Sequence, residues 1–506
     1  MLAGINSKIR AMPRLSLAIG GATSDMWTVL TVLVVVAACF THFFRIAVLP
    51  QGLYVDETSI GYNAYLILHT GADEHGVRWP LFFEAFGEYK NPLYIYLLSG
   101  IYWLFGYSEW STRVLNPICW LVGSTFFYLL ARRLFPDRHT RLYIVLCLAF
   151  TPWVFALSRV TFELIVVYPL LGLHLLTLHR GFEAQSPKWT LVSGVALGFT
   201  LYTESAFRLL TPLYILLVLG CYGYGETRCR KLLPWFVLGT LPAFVPYILY
   251  ALERSENLTV EFTAKTYVYD PKLSFVEIAA NFFSRYFEYF SPSFLLWAGD
   301  RSTARHHTGF GGEFLFTTVI LVVLAAIGLH KVPINRFRLY LLLGVLVAPV
   351  SAALTNAHLH SLRSVSMSVF IIMLSGYGMR WLKPSLARAT IALTVLAGTA
   401  YTLHYFTMYP PTSAVAFENA GFKEVFSEAL DRAQRSHGRV VLSNSDRDQY
   451  INLRFFGSVM ETQVPLVFGS RNDLRIGDVF INVCDDRTDR RYGFDPFPCV
   501  GRDTRK

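Results

Sequence analysis

Tyr54-Val55-Asp56-Glu57-Thr58-Ser59-Ile60-Gly61-Tyr62 comes directly after the first long apolar run of the chain, and Glu88-Tyr89-Lys90-Asn91-Pro92 follows in the same polar stretch. Carboxylates at the edge of a bilayer cost several kcal/mol, on the order of insertion-scale values, unless a cation, a metal or a substrate compensates them. An acidic pair and a lysine gathered there mark the first candidate site. The apolar runs around them set the architecture.

The chain has 506 residues, 53% hydrophobic, 15% aromatic and only 16% charged, which lies outside the soluble range. Hydrophobicity comes in blocks of roughly 17–24 residues, each long enough to cross a hydrocarbon core as a helix. The expected spans are 27–48, 113–134, 141–157, 162–179, 189–204, 208–224, 233–252, 313–330, 338–354, 364–382 and 389–406, about eleven by length. The fold class is therefore a polytopic α-helical membrane protein with a small soluble tail. The first block, Met26 to Leu49, reads as a retained signal anchor rather than a cleaved leader.

The net charge of +10 does not point to nucleic acid, because the positive residues fall in short segments between apolar blocks. Assigning Lys8/Arg10/Arg14, Arg132/Arg133/Arg138/Arg141, Arg180/Lys188, Arg228/Arg230/Lys231, Lys331/Arg336/Arg338 and Arg380/Lys383/Arg388 to the cytoplasm gives a consistent alternation. The short apolar piece Pro92–Gly106 then has to lie along the outer surface as a juxtamembrane helix, since a crossing there would invert the arginine cluster that follows.

The organisation expected is a cytoplasmic segment 1–26, a membrane module 27–408 with outer loops 50–112 and 253–312, and an extracytoplasmic α/β domain 409–506. The tail shows a helical pattern around Phe422–Ala433 and strand-like runs at Arg439–Leu442 and Asp478–Val483. Five cysteines lie in or beside membrane segments, and Cys484 and Cys499 fall in the tail, their pairing left open. No zinc-type spacing occurs.

The outer loops carry the chemistry. Asp56 and Glu57 suit a general base or metal ligand that activates an acceptor hydroxyl, against the plainer reading of a helix cap. Lys90, between Glu88 and Pro92, suits a lipid-linked phosphate, against simple snorkelling. Arg159 and Glu163 either pair with each other or add one cation and one acid to the site. Arg305-His306-His307, in a glycine-rich run, and His360 with Arg363 suit phosphate or metal contacts, against a basic hinge. A divalent metal is left open, with Asp56, Glu88 and His307 as its candidate ligands. The partners expected are an anionic lipid-linked substrate and membrane lipids, with no nucleic acid. A transporter would instead show charges at mid-span or broken helices in matching halves, and a glycan ligase or polymerase using a lipid diphosphate would need the cationic loops but not Asp56.

The acidic pair after the first span, the Tyr89-Lys90-Asn91-Pro92 helix start, the Leu104-Phe105-Gly106-Tyr107-Ser108 to Arg113 stretch and the Ala131-Arg132-Arg133-Leu134-Phe135 end of the next span resemble GT-C superfamily glycosyltransferases. The similar branch holds the dolichyl-phosphate-mannose protein mannosyltransferases and the bacterial lipid A aminoarabinose transferase. The resemblance is best over 27–180, with weaker echoes at 300–312 and 356–363. It implies inverting transfer of a sugar from a polyprenyl-phosphate carrier to an acceptor glycan, lipid or protein on the outer face of a bacterial inner membrane. By position it makes Asp56 the acceptor-activating acid with Glu57 beside it, Glu163 the second acid, Lys90 the carrier-phosphate contact, and His306 or His307 the loop histidine. Tyr89 separates Glu88 from Lys90 where relatives place an acid directly before the lysine, which leaves the role of Glu88 and any metal open.

Overall fold

A computed structural model describes residues 26–224, 226–300, 304–328, 334–417, 422–443, 450–470, 473–484 and 491–493. The expected amino-terminal segment, all but its last residue, and Cys499 lie outside these residues. Each of the eleven apolar segments contains helix. Six helices among the described residues are long and apolar enough to cross a membrane: Met26–Phe43, Glu109–Leu134, Glu163–Glu183, Thr227–Glu253, Arg336–Ala353 and Pro384–Thr407. Four further apolar helices are shorter: Pro92–Phe105, Phe207–Gly223, Phe316–Ile327 and Ser366–Met379. The expected span 141–157 is divided into Arg138–Phe150 and Pro152–Leu157, because Pro152 lacks the amide that would continue the ladder. The protein is an integral membrane protein, and among the described residues six of the eleven expected spans are helices that reach crossing length.

Helix Ser366–Met379 is buried along its whole length and forms the centre of the bundle. Its Ser368 and Ser375 hydroxyls donate to Val365 and Ile372 carbonyls at 2.6 Å each, so no polar side chain there is left to lipid or core unmet. Helices Pro187–Phe199 and Leu233–Glu253 approach most closely at Gly194 and Gly239. A Cβ on Gly194 would stand 2.0 Å from the Phe236 carbonyl oxygen, the small-residue contact expected where two helices cannot rely on water to drive them together.

Four elements between the first long apolar helix and the next build the site. Helix α1, Met26–Phe43, leads into α2, Val55–Thr70, which Gly71 ends at φ 70°. A hairpin follows, β1 (Phe83–Ala85) paired antiparallel to β2 (Glu88–Lys90), with Phe83 opposite Lys90. Its turn residues Phe86 and Gly87 both have positive φ, 57° and 74°, the twist that two-residue hairpin turns require. Asn91 then caps α3, Pro92–Phe105, which starts on proline as that first position favours. Ser108, accepting from the Ser111 amide at 3.1 Å, opens α4, Glu109–Leu134.

After Phe422 the chain forms helix Phe422–Arg435, helix Tyr450–Val459 and strands β3 (Val440–Ser443), β4 (Leu466–Gly469), β5 (Val479–Cys484) and β6 (Arg491–Gly493). The sheet order is β4-β3-β5-β6, with β3 parallel to both neighbours and β6 antiparallel. Its apolar core includes Phe426, Leu430, Val440, Leu442, Leu453, Phe455 and Ile481. This unit rests on α2: Thr58 Oγ1 donates to Asn452 Oδ1 at 2.6 Å, and Tyr450 Oη donates to Glu74.

Candidate active site

Helix α2 begins at Val55, so Asp56 and Glu57 sit inside its first turn. Consecutive residues on a helix diverge by about 100°, and the two carboxylates point to different places. Glu57 turns inward. Its Oε1 accepts from Arg113 Nε at 2.9 Å and from the Thr161 amide at 2.8 Å, and its Oε2 accepts from Arg113 Nη2 at 2.7 Å and the Tyr54 amide at 3.1 Å. Arg113 also donates to the carbonyls of Pro50, at 2.7 Å, and Gly52, and both side chains of the pair are wholly buried. Glu57 departs from the catalytic role expected of it, since every oxygen lone pair is engaged in tying α2 to α4.

Asp56 turns outward to a cavity of about 340 Å³. Its Oδ1 accepts from Lys90 Nζ at 2.6 Å, and 37% of its side chain remains open. Burial pushes the Asp56 carboxyl up, but Lys90, with Arg305 and Lys265 behind it, overrides this and holds it below the ordinary carboxylate value. Burial likewise opposes the charged ammonium of Lys90, and Asp56, Glu163 and Glu88 override it and raise its pKa. Both groups are therefore ionised at neutral pH.

The same cavity is lined by Glu163, Arg305, His306, His360 and Arg363, residues from loops far apart in the chain. Glu163, at the start of a short 3₁₀ turn, accepts from the Asn91 amide at 2.9 Å and from Asn91 Nδ2 at 3.1 Å. This fixes the residue next to Lys90. The Arg305 guanidinium stacks over the Tyr54 ring at 3.5 Å. Buried Asp300 receives the Ser361 amide at 2.9 Å and Ser361 Oγ at 3.2 Å, and its Oδ2 lies 3.0 Å from His306 Nδ1. The His306 and His360 rings are 4.8 Å apart. Burial, reinforced by Arg363 and His306, holds the His360 pKa well below the ordinary histidine value.

Two further expectations are corrected. Arg159 does not reach the cavity: it is fully buried and donates to the carbonyls of Thr41, His42, Phe44 and Leu49 at 2.6–3.2 Å, beneath the rings of Tyr405 and Phe406. It neither pairs with Glu163 nor offers its charge to a ligand. His307 turns away from the cavity, its Nδ1 accepting from the Gly309 amide at 3.1 Å, and it packs so closely on Gly299 that a Cβ there would stand 2.5 Å from the ring.

The metal ligands expected, Asp56, Glu88 and His307, do not converge either. Asp56 and Glu88 are taken by Lys90 and Lys265, each at 2.6 Å. Among the described residues the group able to hold an ion is Asp300, His306 and His360, with ligand atoms within 4.8 Å of one another. Sequence reasoning passed over Asp300 and Lys265. A lone lysine on Ser255–Lys265 and an aspartate within a glycine-arginine run carry no pattern of their own.

A second cavity of about 390 Å³ adjoins the first and shares Lys265 and Arg363 with it. Its wall is mainly apolar, with Leu209, Tyr247, Ala251, Leu258 and Phe262.

Residues 89–250 match the dolichyl-phosphate-mannose-protein mannosyltransferase family model. No curated protein matches the chain. Among solved structures, ArnT from Cupriavidus metallidurans in the apo state is similar at a TM-score of 0.62, with 14% identity over 88% of this chain and 86% of that one. The same protein bound to undecaprenyl phosphate gives 0.62 and 14%, over 88% and 87%. The Archaeoglobus fulgidus oligosaccharyltransferase in complex with Zn and sulfate gives 0.53 and 12%, over 87% of this chain and 62% of that one. The family's sequence pattern thus runs through Lys90 into the helices beyond it, over residues 89–250, and nearly the whole chain shares the fold of these solved structures.

Proposed function

We propose that the protein moves a sugar from a polyprenyl-phosphate donor to an acceptor hydroxyl on the outer face of the membrane, with inversion. The observation that carries this reading is the junction of the two cavities. A charged chamber holding Asp56 and Lys90 shares the side chains of Lys265 and Arg363 with an apolar one, an arrangement suited to a ligand with a sugar phosphate at one end and an isoprenoid at the other. ArnT, the solved neighbour, binds undecaprenyl phosphate.

Breaking the bond from anomeric carbon to phosphate oxygen leaves its electron pair on the phosphate. Lys90, Lys265, Arg305 and Arg363 provide positive charge for it, the first two held by Asp56 and Glu88 and the third by the Tyr54 ring. The acceptor oxygen attacks from the opposite side and its proton passes to Asp56. A carboxylate held ionised is a weak base, but a hydroxyl becomes strongly acidic only as its oxygen bonds to the sugar. Asp56 therefore orients the acceptor first and takes the proton late. Glu163 serves by holding Asn91, and through it Lys90, in register.

The outer-face assignment is supported by α4, which enters beside the site at Arg113 and ends at Arg132 and Arg133, within a basic cluster suited to the cytoplasmic side. Helix Phe275–Glu288 exposes Phe275, Val276, Phe283 and Phe287 and fits an interfacial position on that outer face. The tail from 409 onward is then extracytoplasmic.

The test is mass spectrometry of polyprenyl lipids and envelope glycans from cells carrying wild type or Asp56→Asn. The expected result is accumulation of a polyprenyl-phosphate sugar and loss of one sugar-sized increment from the acceptor in the variant. Unchanged glycans with normally folded Asp56→Asn protein would sink the reading.

A further inference from the structure

We propose that Asp300, His306 and His360 form a binding site for a divalent cation of the zinc class in the wall of the charged cavity. Two imidazoles and one carboxylate are a borderline-soft donor set that suits zinc, cobalt or iron(II) and poorly suits magnesium or calcium, which prefer all-oxygen surroundings. The geometry is close to a coordination shell. His306 Nδ1 and Asp300 Oδ2 are 3.0 Å apart, near the edge of about 3.3 Å that metal bonds of roughly 2.0–2.1 Å produce in a tetrahedron. All three ligand atoms lie within 4.8 Å of one another, so small side-chain rotations bring them onto one ion.

A second observation points to a ligand independently of that cluster. His360 Nδ1 is buried and has no hydrogen-bond partner, and a buried polar atom without one calls for a missing water or ion. Its place is otherwise fixed: the backbone amide of His360 donates to Tyr289 Oη at 3.0 Å, and Asp300 is held by both donors of Ser361. These contacts are the outer support that orients metal ligands. Both histidines line the cavity, so a cation there would keep one coordination position toward it. The ligand class for that position is a phosphate oxygen, a statement that rests on the glycosyl-transfer reading. The site itself does not.

The experiment uses the untagged full chain purified in detergent, stripped with chelator and titrated with Co²⁺, then Zn²⁺. One equivalent of Co²⁺ with visible d–d absorption, displaced by Zn²⁺, is expected. His306→Asn and His360→Asn should weaken binding by more than about 100-fold and Ser361→Ala by about 10-fold, whereas His358→Asn, on the exposed side of the same loop, should leave it unchanged. Where His306→Asn fails to fold, His306→Cys keeps the test open, because a thiolate should restore binding. Absence of stoichiometric binding, or binding indifferent to these ligand variants, would overturn the site. Binding of undecaprenyl phosphate with and without Zn²⁺ tests the open position separately. Mutual tightening is expected, and Zn²⁺ bound with no effect on the lipid phosphate would overturn the phosphate role while the site stands.

Discussion

Asp56 and Glu57 are consecutive, equally charged and each paired to one cation, yet the two sides of α2 they occupy are of different kinds. Glu57 and Arg113 are sealed, with every oxygen and most guanidinium protons matched to fixed partners. Asp56 and Lys90 hold each other by one contact and face open space shared with charged and imidazole side chains from distant segments, Glu163, Arg305, His306, His360 and Arg363 among them. A saturated pair has nothing left to give a substrate. A half-satisfied one can exchange its partner for a ligand, so the proposed chemistry uses the outward side and the inward side holds the fold.

Separating these two effects is the most direct way to break the comparison. Arg113→Ala should cost the most, about 3–5 kcal/mol, because it leaves the Glu57 charge buried and unmatched; thermal unfolding of the purified chain should show it. Equal stability of variant and wild type would end the distinction. Asp56→Asn should lower transfer by about 10²–10⁴-fold with little change in melting temperature, read from turnover and melting on the same preparation.

Gly61→Val sharpens the boundary of the outward region. A Cβ at Gly61 would meet Phe455 at 2.6 Å and Tyr102 Oη at 2.9 Å, so α2 should lose its contact with the tail at a cost of about 1–3 kcal/mol. Limited proteolysis should then cut between 417 and 470 faster than in wild type. The smallest effect is that of acid on the Asp56 and Lys90 pair. Its folded carboxyl value lies below the ordinary 3.8, so the unfolded chain takes up the proton first, and the stabilisation is present above that ordinary value and lost as pH falls through the folded one. The stability difference between wild type and Asp56→Asn should stay flat from about pH 7 to about pH 5 and shrink only in stronger acid, as melting curves across that range would show.

Much of the layout could be read from residue order. Hydropathy located helix in all eleven apolar segments, and periodicity located Phe422–Arg435, β3 and β5 in the tail. Asp56, Lys90, Glu163, Arg305, His306, His360 and Arg363 were singled out by type and by loop, and one cavity contains them. The misreadings share a cause. Arg159 looked available because a charge between spans suggests solvent, but carbonyls of residues 41–49 absorb its guanidinium group, as those of residues 46–52 absorb that of Arg113. Among the described residues six of the eleven expected spans meet the length criterion, because apolar composition does not mark where a helix breaks, as at Pro152, or how short it runs.

Composition and pattern are local quantities, and they are enough to specify a membrane-embedded helical protein with acids and cations in the segments between its apolar helices. Which carboxylate meets solvent is set by the 100° between neighbouring residues on α2 together with the position of α4 against it. Which serine meets Asp300, and which lysine meets Glu88, depend on contacts between segments 61 and 177 residues apart in the chain. Such pairings come from packing of the whole bundle, and no window of sequence contains them.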